Sequence, residues 1–204
     1  MAFTYFFRDL QTLEVIIEHI LPSLRGRRNI DIWSAGCAMG QEPYTIALLL
    51  KENMGPMIFR NVKIYASDID HSNLFSTIIE TGSYPEEELK RMPKEYFTRY
   101  FSPDPKKPGN LIIAEEIRKR LIFQRHDLLT LRPVRDQLAL ISCKNVLLHF
   151  TEEERVKVIR MFYDSLVDGG YLLTEQTQKM PPELSHLFEQ VVSHAQVFKK
   201  VPGR

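Results

Sequence analysis

Short, mainly apolar runs alternate with stretches of helical periodicity along most of the chain. Apolar residues recur every three or four positions in residues 9–24, which predicts an amphipathic helix. The apolar runs predict buried strands at residues 30–34, 62–67, 138–142 and 171–174. Helical spacing between them predicts helices at residues 43–53, 72–80 and 152–166. Strands that alternate with helices indicate an α/β fold with a doubly wound, mostly parallel sheet.

Residues 82–126 break this alternation. They contain two short helical pieces, an aromatic cluster and a proline-rich loop. Residues 111–114 and 121–124 predict two strands, which we expect to pair antiparallel beside the main sheet. The apolar pattern of residues 191–201 predicts a closing hairpin. We therefore expect one domain over residues 1–204, with residues 82–126 as a small inserted antiparallel β-subdomain.

The size and charge of the chain exclude several classes of protein. Its 204 residues, 44% of them hydrophobic, suffice for a single core. With 27 basic and 26 acidic residues the net charge is +1, so no overall field attracts nucleic acid or an anionic membrane surface. No apolar run approaches membrane-spanning length, and the amino terminus lacks a signal-peptide pattern. We expect a soluble, cytoplasmic protein that neither binds nucleic acid nor inserts into a membrane.

Cysteine and histidine usage indicates neither disulfide nor metal chemistry. Cys37 and Cys143 are too few for a disulfide framework, so free thiols in a reducing compartment are expected. The six histidines are scattered without the spacing of metal ligands, and no metal site is predicted.

The segment from Ser34 to Thr45 is the most informative part of the sequence. It follows a predicted strand, opens a helix and is rich in small residues, which let a backbone approach a ligand closely. A strand, a tight turn and a helix in this order begin nucleotide-binding α/β sheets, and Glu42 lies beside the turn. The segment lacks a clean G-x-G-x-x-G pattern, so an ordinary strand-to-helix loop is an equal alternative on spacing alone.

Further polar residues follow predicted strands, at the edge where parallel sheets bind ligands. Asp68 suits the two ribose hydroxyls of a nucleotide, and a helix cap is the alternative. Asp127 can accept a hydrogen bond from an adenine amino group while Leu128 packs on the ring, although a turn aspartate is commoner. Asn145 can donate and accept near a ligand, although an asparagine at a strand end is more often a turn residue.

Five segments occur in a characteristic order along the chain. They are Thr4-Tyr-Phe-Phe-Arg-Asp9, Trp33-Ser-Ala-Gly36 with Gln41-Glu-Pro-Tyr44, Ala66-Ser-Asp-Ile-Asp70, Cys143-Lys-Asn-Val-Leu-Leu-His-Phe150 and Gly169-Gly-Tyr-Leu-Leu173. Together they resemble the CheR-type methyltransferases, which use S-adenosylmethionine to methylate glutamates on chemotaxis receptors. The resemblance covers nearly the whole chain and implies the doubly wound, Rossmann-like α/β fold of class I S-adenosylmethionine-dependent methyltransferases, with S-adenosylhomocysteine as the product.

The resemblance also implies which residues contact the cofactor. They are Thr4, Arg8, Glu42, Asp68, Asp127, Leu128, Lys144 and Asn145. In this arrangement Asp68 takes the ribose hydroxyls and Asp127 and Leu128 lie by the adenine. Thr4, Arg8 and Glu42 lie toward the methionine end. Arg8 and His149 are the candidate catalytic residues, because we expect them to orient the methyl acceptor.

The sequence departs from the family pattern at several points. Family members usually have arginine at the position of Lys144, tyrosine at that of His149, and often asparagine at that of Asp127. The tyrosine lines the acceptor pocket, so His149, which can titrate near neutrality, affects the expected acceptor more than the expected cofactor. Members usually carry a helical domain before the motif that begins here at Thr4, so the sequence is either a trimmed chain or a minimal variant.

The resemblance implies a chemoreceptor cytoplasmic domain, or another protein acceptor, as the partner. The proline-rich loop lacks the glycine-and-arginine pattern of members that grip a receptor tail, so tail-independent recognition of the receptor is expected. We also expect the enzyme to be a monomer. One alternative is a methyltransferase of this family that acts on another protein or a small molecule. Another is a non-catalytic module that binds the cofactor or its product and signals to a partner. A nicotinamide dehydrogenase is less favoured, because the first turn lacks the required glycines.

Overall fold

The structure, a computed structural model, describes residues 4–203, and its largest element is a twisted sheet of seven strands. In chain order the strands are β1 (Ile30–Ala35), β2 (Val62–Asp68), β3 (Ser83–Pro85), β4 (Phe101–Pro103), β5 (Asn110–Ile113), β6 (Leu121–Arg125), β7 (Leu138–Cys143), β8 (Leu166–Thr174), β9 (Phe188–Gln190) and β10 (Val197–Lys200). The large sheet has the spatial order β6-β2-β1-β7-β8-β10-β9. Its first five strands are parallel, whereas β10 is antiparallel to both β8 and β9. The prediction of a doubly wound, mostly parallel α/β sheet is confirmed.

The helices connect these strands. They are α1 (Leu10–Val15), α2 (Leu21–Leu24), α3 (Gln41–Phe59), α4 (Phe75–Thr81), α5 (Glu86–Leu89), α6 (Lys94–Tyr100), α7 (Glu115–Arg118) and α8 (Glu152–Ser165). A π-helical turn, Ile16–Ile20, joins α1 to α2, so the helix predicted at residues 9–24 is one helical segment. The helix predicted at residues 43–53 is the first part of α3, because Gly55 (φ 75°, ψ 161°) and Pro56 interrupt the helical geometry there and a second helical piece follows the kink.

Apolar side chains on both faces of β1 divide the core into two layers. Ile30 and Ile32 pack in the layer that contains the amino-terminal helices and α3, and Trp33 and Ala35 pack in the layer that contains α8. Each side chain of β1 is buried, which is the expected pattern for a central strand with helices on both faces. The indole N–H of Trp33 donates to Ser67 Oγ at 2.8 Å and ties β1 to β2.

A second, three-stranded antiparallel sheet has the order β3-β5-β4. The expected antiparallel pairing of residues 111–114 with residues 121–124 is wrong, because β3 and β4 occupy the two edges of β5. The short helix α7 leads the chain back to the large sheet, where β6 pairs parallel with β2. Leu121 and Phe123 of β6 pack there against Ala66 and Ile79, and this burial explains the observed pairing.

The carboxyl-terminal hairpin is confirmed as the antiparallel pair β9 and β10, with Val191 and Val192 in its connection. Over residues 4–203, no helix has the length and apolarity that crossing a membrane requires. The same residues contain no group of three or more histidine, cysteine, aspartate or glutamate side chains placed to hold a metal ion.

The turn after β1 depends on glycine for close packing. Gly36 has a φ of 80°, and a Cβ built on it would lie 2.1 Å from Cγ2 of Val146. We expect Gly36→Ala to lower the free energy of unfolding by about 3 kcal/mol, because it adds an overpacking cost to the cost of a left-handed backbone. Urea denaturation would measure the loss.

Gly109 provides the matched control, because its φ is 83° but a Cβ built on it would meet no atom within 4 Å beyond its chain neighbours. Gly109→Ala should cost only about 1 kcal/mol. Val146→Ala should recover part of the loss in the Gly36→Ala background. Equal losses for the two glycine variants would contradict this account of the turn.

Candidate functional site

A cavity of about 390 Å³ opens at the edge of the large sheet where β1 and β7 end. Its lining includes six of the candidate residues, Thr4, Arg8, Glu42, Lys144, Asn145 and His149. Asp68, Asp127 and Leu128 lie at the ends of the neighbouring strands β2 and β6. The structure therefore brings six of the nine candidate residues to one cavity. Such volumes are typical of small-molecule sites.

The amino-terminal segment, residues 4–9, contributes one wall of the cavity. Phe6 and Phe7 are buried in the core layer beside α3, and the N–H of Phe7 donates to Thr45 Oγ1 at 3.0 Å. This anchoring brings Arg8 to the cavity, where its Nη2 donates to Asn145 Oδ1 at 3.2 Å. The two aromatic residues of the first motif therefore position the charged one.

An ion pair also fastens the segment to the end of β7. Lys144 Nζ lies 2.8 Å from Asp9 Oδ2, and the two side chains are only 8% and 20% exposed. Burial by itself would raise the pKa of Asp9, but the Lys144 ammonium and the hydrogen bonds from Thr12 outweigh it and lower that pKa. Lys144, which the family resemblance assigns to cofactor contact, is therefore paired with Asp9 in this structure.

Glu42 lies in the first turn of α3, where Ser34 Oγ donates to its Oε1 at 2.8 Å. The N-cap of this helix is Gly40, with a φ of 93°, and no side chain caps the helix. A carboxylate at a helix amino terminus is favoured by the helix dipole. The hydrogen bond from Ser34 aims the Glu42 carboxylate at the cavity that Arg8 also lines.

Asp68 ends β2 and supports the turn after β1. Its Oδ2 accepts from the N–H of Ala38 at 2.9 Å, and its Oδ1 accepts from the N–H of Asp70 at 3.1 Å. The alternative that Asp68 caps the following helix is wrong, because Asp70 accepts the N–H groups of Leu74 and Phe75. Each carboxylate oxygen has a second lone pair, so Asp68 can still accept two hydroxyl donors.

Asp127 and Leu128 have structural roles at the end of β6. Asp127 Oδ1 accepts from the N–H of Leu129 at 2.9 Å and begins a short 3₁₀ turn, Leu128–Thr130. Leu128 is buried in the core layer that contains Trp33. This geometry is that of a turn aspartate, and contact with adenine stays a prediction for both residues.

His149 ends a short 3₁₀ helix, Leu147–His149, that follows β7. Its side chain is exposed at the cavity, and its neighbour Leu148 is 52% exposed and also lines the cavity. An imidazole and an apolar side chain therefore stand at the opening of the cavity.

Sequence reasoning missed Glu175, which directly follows β8. Its side chain is buried, and its Oε2 accepts from the N–H of Asn145 at 3.1 Å. Asp68 was selected because it is a polar residue at the end of a predicted strand. Glu175 directly follows the strand predicted at residues 171–174, so the same criterion would have selected it.

The residues present fit S-adenosylmethionine. The cavity places a carboxylate, Glu42, and a guanidinium, Arg8, in one lining, which suits the ammonium and carboxylate of an amino acid. Asp68, at the adjacent strand end, has the acceptor capacity that vicinal hydroxyls need.

The doubly wound sheet with this strand order is the fold of class I S-adenosylmethionine-dependent methyltransferases. The ribosomal-RNA methyltransferase aviRa from Streptomyces viridochromogenes is similar in fold, with a TM-score of 0.57 at 13% identity. That similarity covers 97% of this chain and 86% of aviRa.

Residues 2–197 match the family model described as "CheR methyltransferase, SAM binding domain". A probable chemotaxis protein methyltransferase from Rhizobium etli is 30% identical over 93% of this chain and 72% of its own length. Chemotaxis protein methyltransferase 2 from Vibrio cholerae is 30% identical over 98% of this chain and 68% of its own length. A chemotaxis protein methyltransferase from Borreliella burgdorferi is 34% identical over 83% of this chain and 62% of its own length. The chain belongs to the CheR methyltransferase family, and it is an S-adenosylmethionine-dependent methyltransferase.

The ion pair between Asp9 and Lys144 generates a prediction about stability. Asp9→Asn should lower the free energy of unfolding by about 3 kcal/mol near neutral pH, because it leaves a buried ammonium without its carboxylate. The ordinary pKa of 3.8 applies to Asp9 in the unfolded chain, and the folded value is lower. The contribution of the pair is therefore present above pH 3.8 and is lost as the pH falls through the lower folded value.

Urea denaturation of wild type and Asp9→Asn across pH 3 to 7, roughly the range over which carboxylates titrate, should show this gap closing in acid. Asp168→Asn is the control, because Asp168 is 69% exposed and 3.8 Å from Lys200. It should cost less than about 1 kcal/mol. A gap that persists unchanged at the acid end would contradict the buried ion pair.

Proposed function

We propose that this protein transfers the methyl group of S-adenosylmethionine to glutamate side chains in the cytoplasmic domains of chemoreceptors, which forms methyl esters. The observation that carries the proposal is the placement of Arg8 and His149 in one cavity with Glu42, beside the end of β7. The names of the relatives from Vibrio cholerae and Borreliella burgdorferi, both chemotaxis protein methyltransferases, support it.

The proposed cofactor contacts follow the order of the strands. Asp68 accepts from the ribose hydroxyls, and Asp127 and Leu128 lie by the adenine. Arg8 and Glu42, with Thr4, hold the methionine end. Lys144 and Asn145 border the same region and are held there by Asp9 and Arg8 respectively.

The cofactor supplies a methyl group that is already activated by the sulfonium, so the residues of this chain have only to position the acceptor. A glutamate with an ordinary pKa of about 4.3 is ionised at neutral pH and needs no general base. Burial raises the pKa of Cys37 and of Cys143 well above the usual range, so neither thiol is available as a nucleophile. Orientation and partial desolvation of the carboxylate are the remaining sources of catalysis.

Arg8 and His149 are the proposed orienting residues. Arg8 orients the reacting groups through the cofactor, because its guanidinium can hold the carboxylate at the methionine end through two parallel N–H groups. The exposed imidazole of His149 can donate to the acceptor, and the exposed Leu148 beside it can pack on the methylene groups of a glutamate. We further propose that the protein acts as a monomer in the cytoplasm.

Substitution of Asp68 tests the proposed cofactor contacts. Asp68→Asn should weaken the binding of S-adenosylhomocysteine at least about tenfold, because it removes charge-assisted hydrogen bonds to the ribose. Isothermal titration calorimetry would give the Kd. Asp104→Asn is a matched control, because the Asp104 side chain also accepts two hydrogen bonds, from Ser83 and Lys106, but lies in the loop between β4 and β5. Near-normal affinity in Asp68→Asn would remove Asp68 from the site.

Methyl transfer itself tests the proposed acceptor. The protein should move label from S-[methyl-³H]adenosylmethionine to a purified chemoreceptor cytoplasmic fragment, and mild base should release the label as methanol, because methyl esters hydrolyse readily. His149→Phe should lower the rate about tenfold while the Kd for S-adenosylhomocysteine stays within about twofold of wild type.

Base-stable label, or label on a different protein or a small molecule, would replace the chemoreceptor glutamate with another acceptor. Cofactor binding without transfer to receptor or to cell-lysate proteins would indicate a non-catalytic binding module. An unchanged rate in His149→Phe would contradict the proposed role of His149 alone.

A further inference from the structure

Glu175 is a buried carboxylate whose position the fold does not explain. It directly follows β8, its residue is only 6% exposed, and its Oε2 accepts from the N–H of Asn145 at 3.1 Å. Its Oε1 is buried and has no hydrogen-bond partner within residues 4–203. None of the ion pairs found among those residues includes Glu175.

Such a group is costly to the folded state. A carboxylate taken out of water needs a cation or several hydrogen-bond donors, and within residues 4–203 the Glu175 carboxylate has one donor. An apolar residue of similar volume would fill the same space without that cost. A buried ionisable group with an unpartnered oxygen at this edge of the sheet is therefore a candidate for a functional role.

The hydrogen bond that the Glu175 side chain accepts leads to the cavity. Its donor, the N–H of Asn145, belongs to a residue with a φ of 60°, a left-handed conformation that the surroundings must hold in place. The side chain of the same Asn145 accepts from Nη2 of Arg8 at 3.2 Å. Glu175 after β8, Asn145 after β7 and Arg8 in the amino-terminal segment thus form one chain of hydrogen bonds.

We propose that Glu175 is a positioning residue, which fixes the backbone of Asn145 and thereby sets the Arg8 guanidinium for the carboxylate at the methionine end of the cofactor. The inference rests on the proposed contact between Arg8 and that carboxylate. Without the Glu175 acceptor, the loop at Asn145 relaxes and Arg8 loses one of the groups that orient it. The adenosine half of the cofactor, which the proposal assigns to Asp68, Asp127 and Leu128, is unaffected.

Two ligands separate this role from general support of the fold. S-adenosylhomocysteine carries the amino acid, whereas 5′-methylthioadenosine has the same adenosine and sulfur but lacks it. Glu175→Met keeps the volume of the side chain and removes the acceptor. Calorimetry should show Kd for S-adenosylhomocysteine raised about tenfold, with Kd for 5′-methylthioadenosine within about twofold of wild type. Equal weakening of both ligands, or no weakening of either, would overturn the inference.

Glu175→Gln is the conservative rescue, because its amide oxygen can accept from the N–H of Asn145. It should bind S-adenosylhomocysteine within about threefold of wild type. A loss as large as that in Glu175→Met would mean that the charge, and not the hydrogen bond, is required, and would overturn the proposed chain.

Arg8→Met distinguishes failure of this inference from failure of the proposed contact. Arg8→Met should raise the Kd for S-adenosylhomocysteine but not that for 5′-methylthioadenosine. In the Arg8→Met background, Glu175→Met should raise the Kd for S-adenosylhomocysteine by less than about a further twofold. If Arg8→Met leaves the affinity unchanged, the proposed contact of Arg8 is wrong and the inference is overturned with it. If Arg8→Met weakens binding but Glu175→Met does not, only the inference is overturned.

Discussion

Every side chain of β1 is buried, with Ile30 and Ile32 on one face of the sheet and Trp33 and Ala35 on the other. This double burial places β1 at the centre, with β2 and β7 parallel on its two sides. Parallel neighbours all end at the same edge, so the residues that follow them must meet there. The cavity is a consequence of that constraint.

The amino-terminal segment turns this edge into an enclosed site. Phe6 and Phe7 are anchored in the core, and beyond them Arg8 and Asp9 bond to Asn145 and Lys144, the two residues after β7. The segment and the sheet edge therefore stabilise each other. A family motif at the start of the chain therefore contributes to a site that extends to Asn145, which lies 137 positions after Arg8 in the sequence.

Much of the fold follows from local pattern, because buried parallel strands and amphipathic helices have distinct periods. The pairing of β6 could not be predicted from local pattern, because its apolar run fits either an antiparallel hairpin or an edge strand of the main sheet. The packing of Leu121 and Phe123 against the main sheet distinguishes these two arrangements. At the candidate site, strand ends predicted Asp68 and Asn145, and of these two Asn145 lines the cavity. They could not show that Asp70 accepts the N–H groups at the start of α4, that Lys144 pairs with Asp9, or that Glu175 bonds to Asn145, because these contacts depend on tertiary geometry.

We propose that the carboxyl edge of β1, β2 and β7 binds the adenosine-bearing methyl donor with its sulfur toward Arg8 and His149. A crystal structure with S-adenosylhomocysteine bound tests it most directly. The account predicts ribose hydroxyls on the Asp68 carboxylate and the sulfur facing the cavity opening at Arg8 and His149. A product molecule bound elsewhere, or one whose sulfur faces away from both residues, would contradict it.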